Sequence, residues 1–331
     1  MYTEIKLEKG LYGIAGSSFS EALERLDDAD YKGTDVEGLD AFSRQLKRFD
    51  IKVSGRNCDK VEKFFTSAQS ATLFPEFVAR CVKQGIDEAN IIPEVVAATT
   101  YIDGMDYRSI STIPNDSAKL MDVAEGASIP ATDIFLNADL VSLTKRGRML
   151  RVSYEAIRNQ RLDLFAVTLR QIGIAIANQQ LSDALTLIID GTDTVDAAEE
   201  YTIAGEELTY ADLVTFWSKF DDLNLTTLLV SPVVMAKILT LDEVKDTVSG
   251  DYMTTGRITL PFGATLIKTT CLDDNTIVGL DKSCALEMVI SGDLSMESDK
   301  LIDRQLERTA ITATAGFSKL FNGASKVLSL S

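Results

Sequence analysis

The chain has 331 residues and a mass of 36.2 kDa, enough for a large core and for about two domains of ordinary size. Apolar residues make up 45% and charged residues 25%, and mean hydropathy is +0.05, the balance of a globular protein and not of a disordered or collagen-like one. With 33 basic against 50 acidic residues, a net charge of −17 and no histidine, the chain repels phosphate backbones as a whole, which argues against a dedicated DNA-binding protein; it also lacks a Ser-His-Asp or Cys-His nucleophile, an HExxH zinc helix, a His-ligated haem or a histidine base.

Met1 to Gly10 alternates charged and apolar residues, where an export signal needs a basic stretch followed by an apolar one. The next eighty residues read as short capped helices. Ser18 with Glu21 and Thr34 with Glu37 fit the capping box, and Asp59 is predicted to cap a helix carrying Val61, Phe64 and Phe65. Behind the two boxes, Phe19, Leu23 and Leu26, then Leu39, Phe42, Leu46 and Phe49, recur at helical spacing. One apolar stripe per helix, with no strands between, predicts an arm that lies on another surface.

From about Ile91 to Val152 the pattern is extended, punctuated by turns at Asp103-Gly104, Pro114-Asn115-Asp116 and Glu125 to Pro130, so long antiparallel ribbons are expected. The return strand, roughly Asn137 to Ser153, carries Lys145, Arg146, Arg148 and Arg151. Ser153 to Asn159 predicts a short helix, and Asp163 to Asp190 a 28-residue one closed by Gly191 at the usual left-handed cap. At 1.5 Å per residue it would reach about 42 Å, the dimension of a spine. Its polar interruptions, among them Arg170, Asn178 and Asp183, argue against a membrane span, so a soluble protein is expected.

Gly191 to Gly205 reads as a solvated loop. Beyond it, Thr209 caps a helix with Leu213, Phe216, Trp217 and Phe220; Leu225 to Val230 reads as a strand; and Ser231-Pro232 opens another helix with proline at its first position. Short strands follow at Thr265–Thr270, Thr276–Leu280, Ala285–Ser291 and Thr309–Thr314. Helices and strands interleave without a βαβ period, which predicts an α+β fold.

Motifs for chemistry are mostly absent. No two glycines are one residue apart and none precedes lysine, so neither GxGxxG nor a P-loop exists; GxSxG is missing as well. Ser142 and Lys145 match SxxK but lie in the ribbon strand. Acidic neighbours such as Glu199-Glu200 and Asp273-Asp274 could serve acid–base chemistry in principle, and Asp190, Asp193 and Asp196 only loosely resemble a calcium loop. No catalytic, cofactor or metal residue is assigned. The four cysteines form no CxxC pair and are expected to be reduced thiols of a cytoplasmic product.

Charge segregation carries more. Lys145 to Arg161 holds six basic residues and one acid, whereas Asp183 to Asp222 holds eleven acids and one lysine. Opposed fields on one chain predict that copies associate, basic ribbon against acidic surface.

In order of parts the chain resembles the tailed-bacteriophage major capsid proteins of the Hong Kong ninety-seven fold, a fold that encapsulin shells share. Met121 to Phe135, with Ala124-Glu125-Gly126 and Pro130, is similar to the family's E-loop pattern; Arg148 to Ser153 and the spine closing on Asp190-Gly191 follow at the family's spacing. Leu228 to Leu239 and Leu260 to Gly263 resemble a strand–helix pair and a turn of its axial domain.

The resemblance implies an N-terminal arm over residues 1–95 and an E-loop β-hairpin with flanking strands over 96–152. It places a P-domain at 153–204 and 281–318 around a spine helix at 163–190, and a mixed α/β A-domain at 205–280 and 319–331. It implies a protein that is not an enzyme: a virion shell of hexamers and pentamers, built in the bacterial host cytoplasm around double-stranded DNA without sequence-specific binding. Portal, scaffolding or decoration proteins would be its partners, with no membrane and no cofactor. Glu125, Pro130, Lys145, Arg146, Arg148 and Arg151 are then the expected assembly contacts. Some relatives weld subunits through a lysine just past the E-loop tip; here Leu136 and Asn137 stand there and the nearest lysine is Lys145, so no such crosslink is expected. The alternatives are an encapsulin-like shell around cargo enzyme and a soluble acidic enzyme using a carboxylate pair.

Overall fold

The computed structural model describes every residue except 1–4, 14–17, 28–30, 113–121, 124, 127–133, 138, 204, 206, 222, 246–257, 293 and 331. Helices α1 (Phe19–Leu26), α2 (Ala41–Arg48), α3 (Ala68–Ala71) and α4 (Phe74–Ala89) precede strands β1 (Val96–Ile102), β2 (Ile110–Thr112) and β3 (Ile134–Leu136). Strand β4 (Thr144–Ser153) leads through α5 (Tyr154–Asn159) into α6 (Leu162–Ile189). Then come β5 (Glu199–Thr202), α7 (Tyr210–Ser218), β6 (Thr227–Val230), α8 (Pro232–Leu239), β7 (Ile258–Thr259), β8 (Thr265–Lys268), β9 (Thr276–Leu280), β10 (Leu286–Ser291), β11 (Ser295–Leu301), β12 (Leu306–Lys319) and β13 (Ser325–Ser329). The mixture is α+β, as expected. Two compact units divide it, and the division falls inside α6 and inside β12.

The first unit comprises Met1–Asn90, Lys145–Ala177 and Asp293–Ala313. Its core joins Phe19 and Leu23 of α1, Phe42 and Leu46 of α2, Phe64, Phe77 and Val82 to Leu162, Phe165, Leu169 and Ile176 of α6. Phe64 packs its ring 5.6 Å from Phe74 and 5.3 Å from Phe77. The foreign surface expected for the N-terminal stripes is therefore supplied by the chain's own α4 and α6. Those two helices cross at Gly85 and Gly173: a Cβ on Gly173 would sit 2.1 Å from the Val82 carbonyl oxygen, and one on Gly85 equally close to that of Arg170. Within the same unit β11 and β12 pair antiparallel from Ser295↔Thr312 to Leu301↔Leu306.

Local signals hold in part. Ser18 and Glu21 form the reciprocal capping box of α1. Thr34 and Glu37 do not start a helix, because Gly33 and Gly38 adopt left-handed backbone and break the chain into turns; α2 begins later, capped by Asp40. Nor does Asp59 cap a helix: its carboxylate accepts the Lys52 amide at 2.8 Å, and Val61–Thr66 is a 3-10 turn.

The second unit comprises Ile91–Thr144, Asn178–Gly292 and Thr314–Ser331. A six-stranded sheet runs β5-β13-β9-β6-β8-β7. Strand β6, Thr-Leu-Leu-Val, is buried on both faces, as the all-apolar run demands. Leu213, Phe216, Val234 and Ile238 of α7 and α8 pack with Leu228 and Val230, while Leu181, Leu185 and Ile188 of α6 pack with Leu229, Val278, Leu286 and Val327. Here too β1 pairs parallel with β10, which pairs antiparallel with the end of β12.

The apolar residues of α6 are spread over all its faces, and by length and composition it could cross a membrane, contrary to the expectation from its polar interruptions; half of its most apolar window is buried inside the protein, so it serves as a core helix. Gly191 closes it at φ +68°, in the expected left-handed cap. The loop expected over Gly191–Gly205 contains β5, which pairs with β13 through partners more than a hundred residues away, a pairing that no local pattern signals.

Candidate functional site

Strand β4 presents the basic residues. Lys145, Arg148 and Arg151 are exposed, and none forms an ion pair among the described residues. Arg146 is half-buried and not free of partners. Alternation puts Lys145 and Arg151 on the more open face of the strand and Arg146 and Arg148 on the other, so the exposed charge is carried by Lys145, Arg148 and Arg151. Glu125 is exposed in a turn next to Gly126, whose φ is +82°, and Pro130 lies outside the described residues.

The acidic segment is equally open. Asp190, Asp193, Asp196, Glu207 and Asp221 are exposed. Glu199 and Glu200, side by side on β5, are taken up individually: Lys326 donates to Glu199 at 2.6 Å, and Ser329 donates to Glu200. The Lys326 hydrogen bond, aided by that of Tyr201, holds the Glu199 carboxyl below its ordinary range. Burial alone would lower the Lys326 ammonium, but its bonds to Glu199 and Tyr201 outweigh this and raise it. The pair is structural, which removes it as an acid–base couple. Among the described residues no three Cys, Asp or Glu side chains converge as a metal-binding group.

Hairpin β2–β3 is held by three residue pairs, Ile110↔Leu136, Ser111↔Phe135 and Thr112↔Ile134. Around it large apolar side chains face solvent: Tyr101 is 73% exposed and Leu136 68%, with Met105, Ile110 and Leu140 also open. A monomer leaves such side chains uncovered at a cost in solubility.

Sequence reasoning missed two features of this region. Glu287 is buried, with 4% exposed, and accepts hydrogen bonds from Thr100 Oγ1 (2.5 Å), Tyr107 OH (2.6 Å) and Ser109 Oγ. The available signal was an acid inside the apolar run Leu286 to Ile290, where a charge must find partners. Lys319 is buried beside a cavity of about 590 Å³ lined by Asn137, Asp139, Ser142, Asp193 and Asp196. Its ammonium donates to the Asp196 carbonyl at 2.6 Å and to that of Ile188, in the last turn of α6, at 3.3 Å. Burial lowers the amine to about 8, against the opposing pull of the Asp196 carboxylate.

A family model described as phage capsid protein matches residues 137–315, more than half of the chain, from the return strand through the spine to β12. No curated protein matches in sequence. Among solved structures, the chain is similar to a virus-like particle from Pyrococcus furiosus at 13% identity and a TM-score of 0.52, over 76% of this chain and 98% of that one. It is likewise similar to a chain of Gordonia phage Cozz at 13% identity and TM-score 0.53, over 73% and 87% of the two chains. For the capsid of Cyanophage P-SCSP1u the figures are 13% and 0.52, over 72% and 88%. These likenesses show the fold, which is the one expected from the order of parts. The encapsulin alternative gains nothing from the family match.

Proposed function

Because the chain belongs to the phage capsid protein family and is a structural shell protein, we propose that its copies form hexamers and pentamers closing an icosahedral shell around double-stranded phage DNA. The family match over residues 137–315 is the observation that carries this reading. The hairpin around β2 and β3 serves as the E-loop, and its exposed apolar root is covered by a neighbouring copy. Lys145, Arg148 and Arg151 of β4 face the acidic segment around Asp190–Glu207 of another copy, with Glu125 and Pro130 as further contacts. Charge complementarity supports this pairing: Lys145, Arg148 and Arg151 on one side and Asp190 and Asp193 on the other are exposed and form no ion pair among the described residues.

The shell does its work by repeated self-contact, without catalysis, cofactor or membrane, and is built in the host cytoplasm. DNA is enclosed and not read, in keeping with the net charge of −17. Portal and scaffolding or decoration proteins complete the particle. Negative-stain microscopy of the purified chain tests the reading: closed shells of uniform diameter are expected, and a monomer of about 36 kDa under all assembly conditions contradicts it.

A further inference from the structure

Within the second unit, the chain leaving β1 towards the hairpin meets β10 at two points. Near its end, Ser291 Oγ donates to the Gly104 carbonyl at 2.7 Å, and the Gly292 amide donates to that of Ile102 at 3.0 Å. Four residues earlier, Glu287 collects the hydroxyls of Tyr107 and Ser109. Residues 287 and 291 stand on the same face of the strand, about 13 Å apart. Two contacts at that separation define a direction and not merely an attachment.

The residues that donate to Glu287 also hold the return strand. The Ser109 carbonyl accepts the Asn137 amide at 2.8 Å, and the Tyr107 carbonyl accepts the Val141 amide at 2.9 Å. One carboxylate thus ties both legs of the hairpin to β10. No lysine or arginine among the described residues pairs with Glu287, so its buried carboxyl group rests on hydroxyl donors, of which Thr100 on β1 is the third. If the hairpin swings, two of the three leave, and an under-bonded buried carboxylate opposes the motion.

We infer that Glu287 is a positioning residue that sets the angle at which the hairpin leaves the subunit, and thereby the geometry of shell assembly. The second half of that statement rests on the shell reading above.

The test uses three hydroxyl deletions on one carboxylate. Tyr107→Phe and Ser109→Ala remove donors on the hairpin leg, while Thr100→Val removes the one on the sheet. Hydrogen exchange of the unassembled chain is read at the Asn137 and Val141 amides. The two hairpin-side variants are expected to exchange about tenfold faster or more there, with Leu228 and Leu229 in the core unchanged, and Thr100→Val much less. Their shells are expected to vary in diameter, whereas those of Thr100→Val stay uniform. Unchanged exchange in both hairpin-side variants, or an equal rise in all three, overturns the anchor. Faster exchange with uniform shells overturns its role in assembly. Should the wild-type chain form no shells, the shell reading fails and the exchange data still decide whether Glu287 anchors the hairpin.

Discussion

The N-terminal helices and the hairpin with its flanking strand β4 both present apolar residues that a short element cannot bury by itself, yet they end differently. Phe19, Leu23, Phe42 and Leu46 are covered by α4 and α6 of the same unit. Tyr101, Met105, Ile110 and Leu136 stay open, and on β4 Arg148 and Arg151 are exposed without an ion pair among the described residues. A helix satisfies its backbone hydrogen bonds internally and needs only an apolar surface, here from elements further along the chain, whereas a two-stranded hairpin needs a further strand or another chain for stability. On the proposed reading, stability of the subunit and association of subunits fall to different stretches of the sequence.

Substitutions separate the two roles. Phe64→Ala removes a fully buried ring from the first region and is expected to destabilise the unassembled protomer by about 3–5 kcal/mol in denaturant titration. Gly173→Ala forces a methyl against the Val82 carbonyl and parts α4 from α6, for about 1–3 kcal/mol by the same measurement. Leu136→Ser in the second region leaves protomer stability within about 0.5 kcal/mol but removes closed shells from electron micrographs; intact shells would detach the hairpin from assembly.

Charge offers finer cuts. Arg148→Glu with Arg151→Glu is expected to leave the melting temperature of the protomer unchanged and to lower the assembled fraction in sedimentation, with wild-type assembly itself weakening as salt rises. Lys319 gives a pH signature at the margin of the hairpin's return strand. Its amine is lowered to about 8 from 10.5 by burial, so between those values the unfolded chain binds more protons than the folded one. Protomer stability should therefore gain a component that rises from about pH 8 to 10.5, and Lys319→Met should flatten it.

What could be read from the sequence was local. The spine helix was legible to within one residue at each end because its apolar run, its length and Gly191 agree. The Ser18 box was legible for the same kind of reason. Thr34 and Glu37 satisfied the same pattern and failed, since two glycines at positive φ outweigh a capping preference of about 1 kcal/mol. Strands β5 and β13 went unseen, because Glu199–Thr202 becomes a strand by pairing with Ser325–Ser329 across the chain, and the latter by lying between β5 and β9. The same holds for Glu287: Thr100, Tyr107 and Ser109 lie nearly two hundred residues away from it, and only the fold brings them together. The charge division was plain in the sequence, while the openness of β4 and of the acidic segment required the structure.

The most direct test of the assignment compares hydrogen exchange in assembled shells with that in dissociated protomers. Protection on assembly is expected at the hairpin legs, at β4 and over 190–207, with the amides of α1 and α2 unchanged. Protection concentrated in α1 and α2, with the hairpin and β4 exchanging as in the free protomer, would contradict the account.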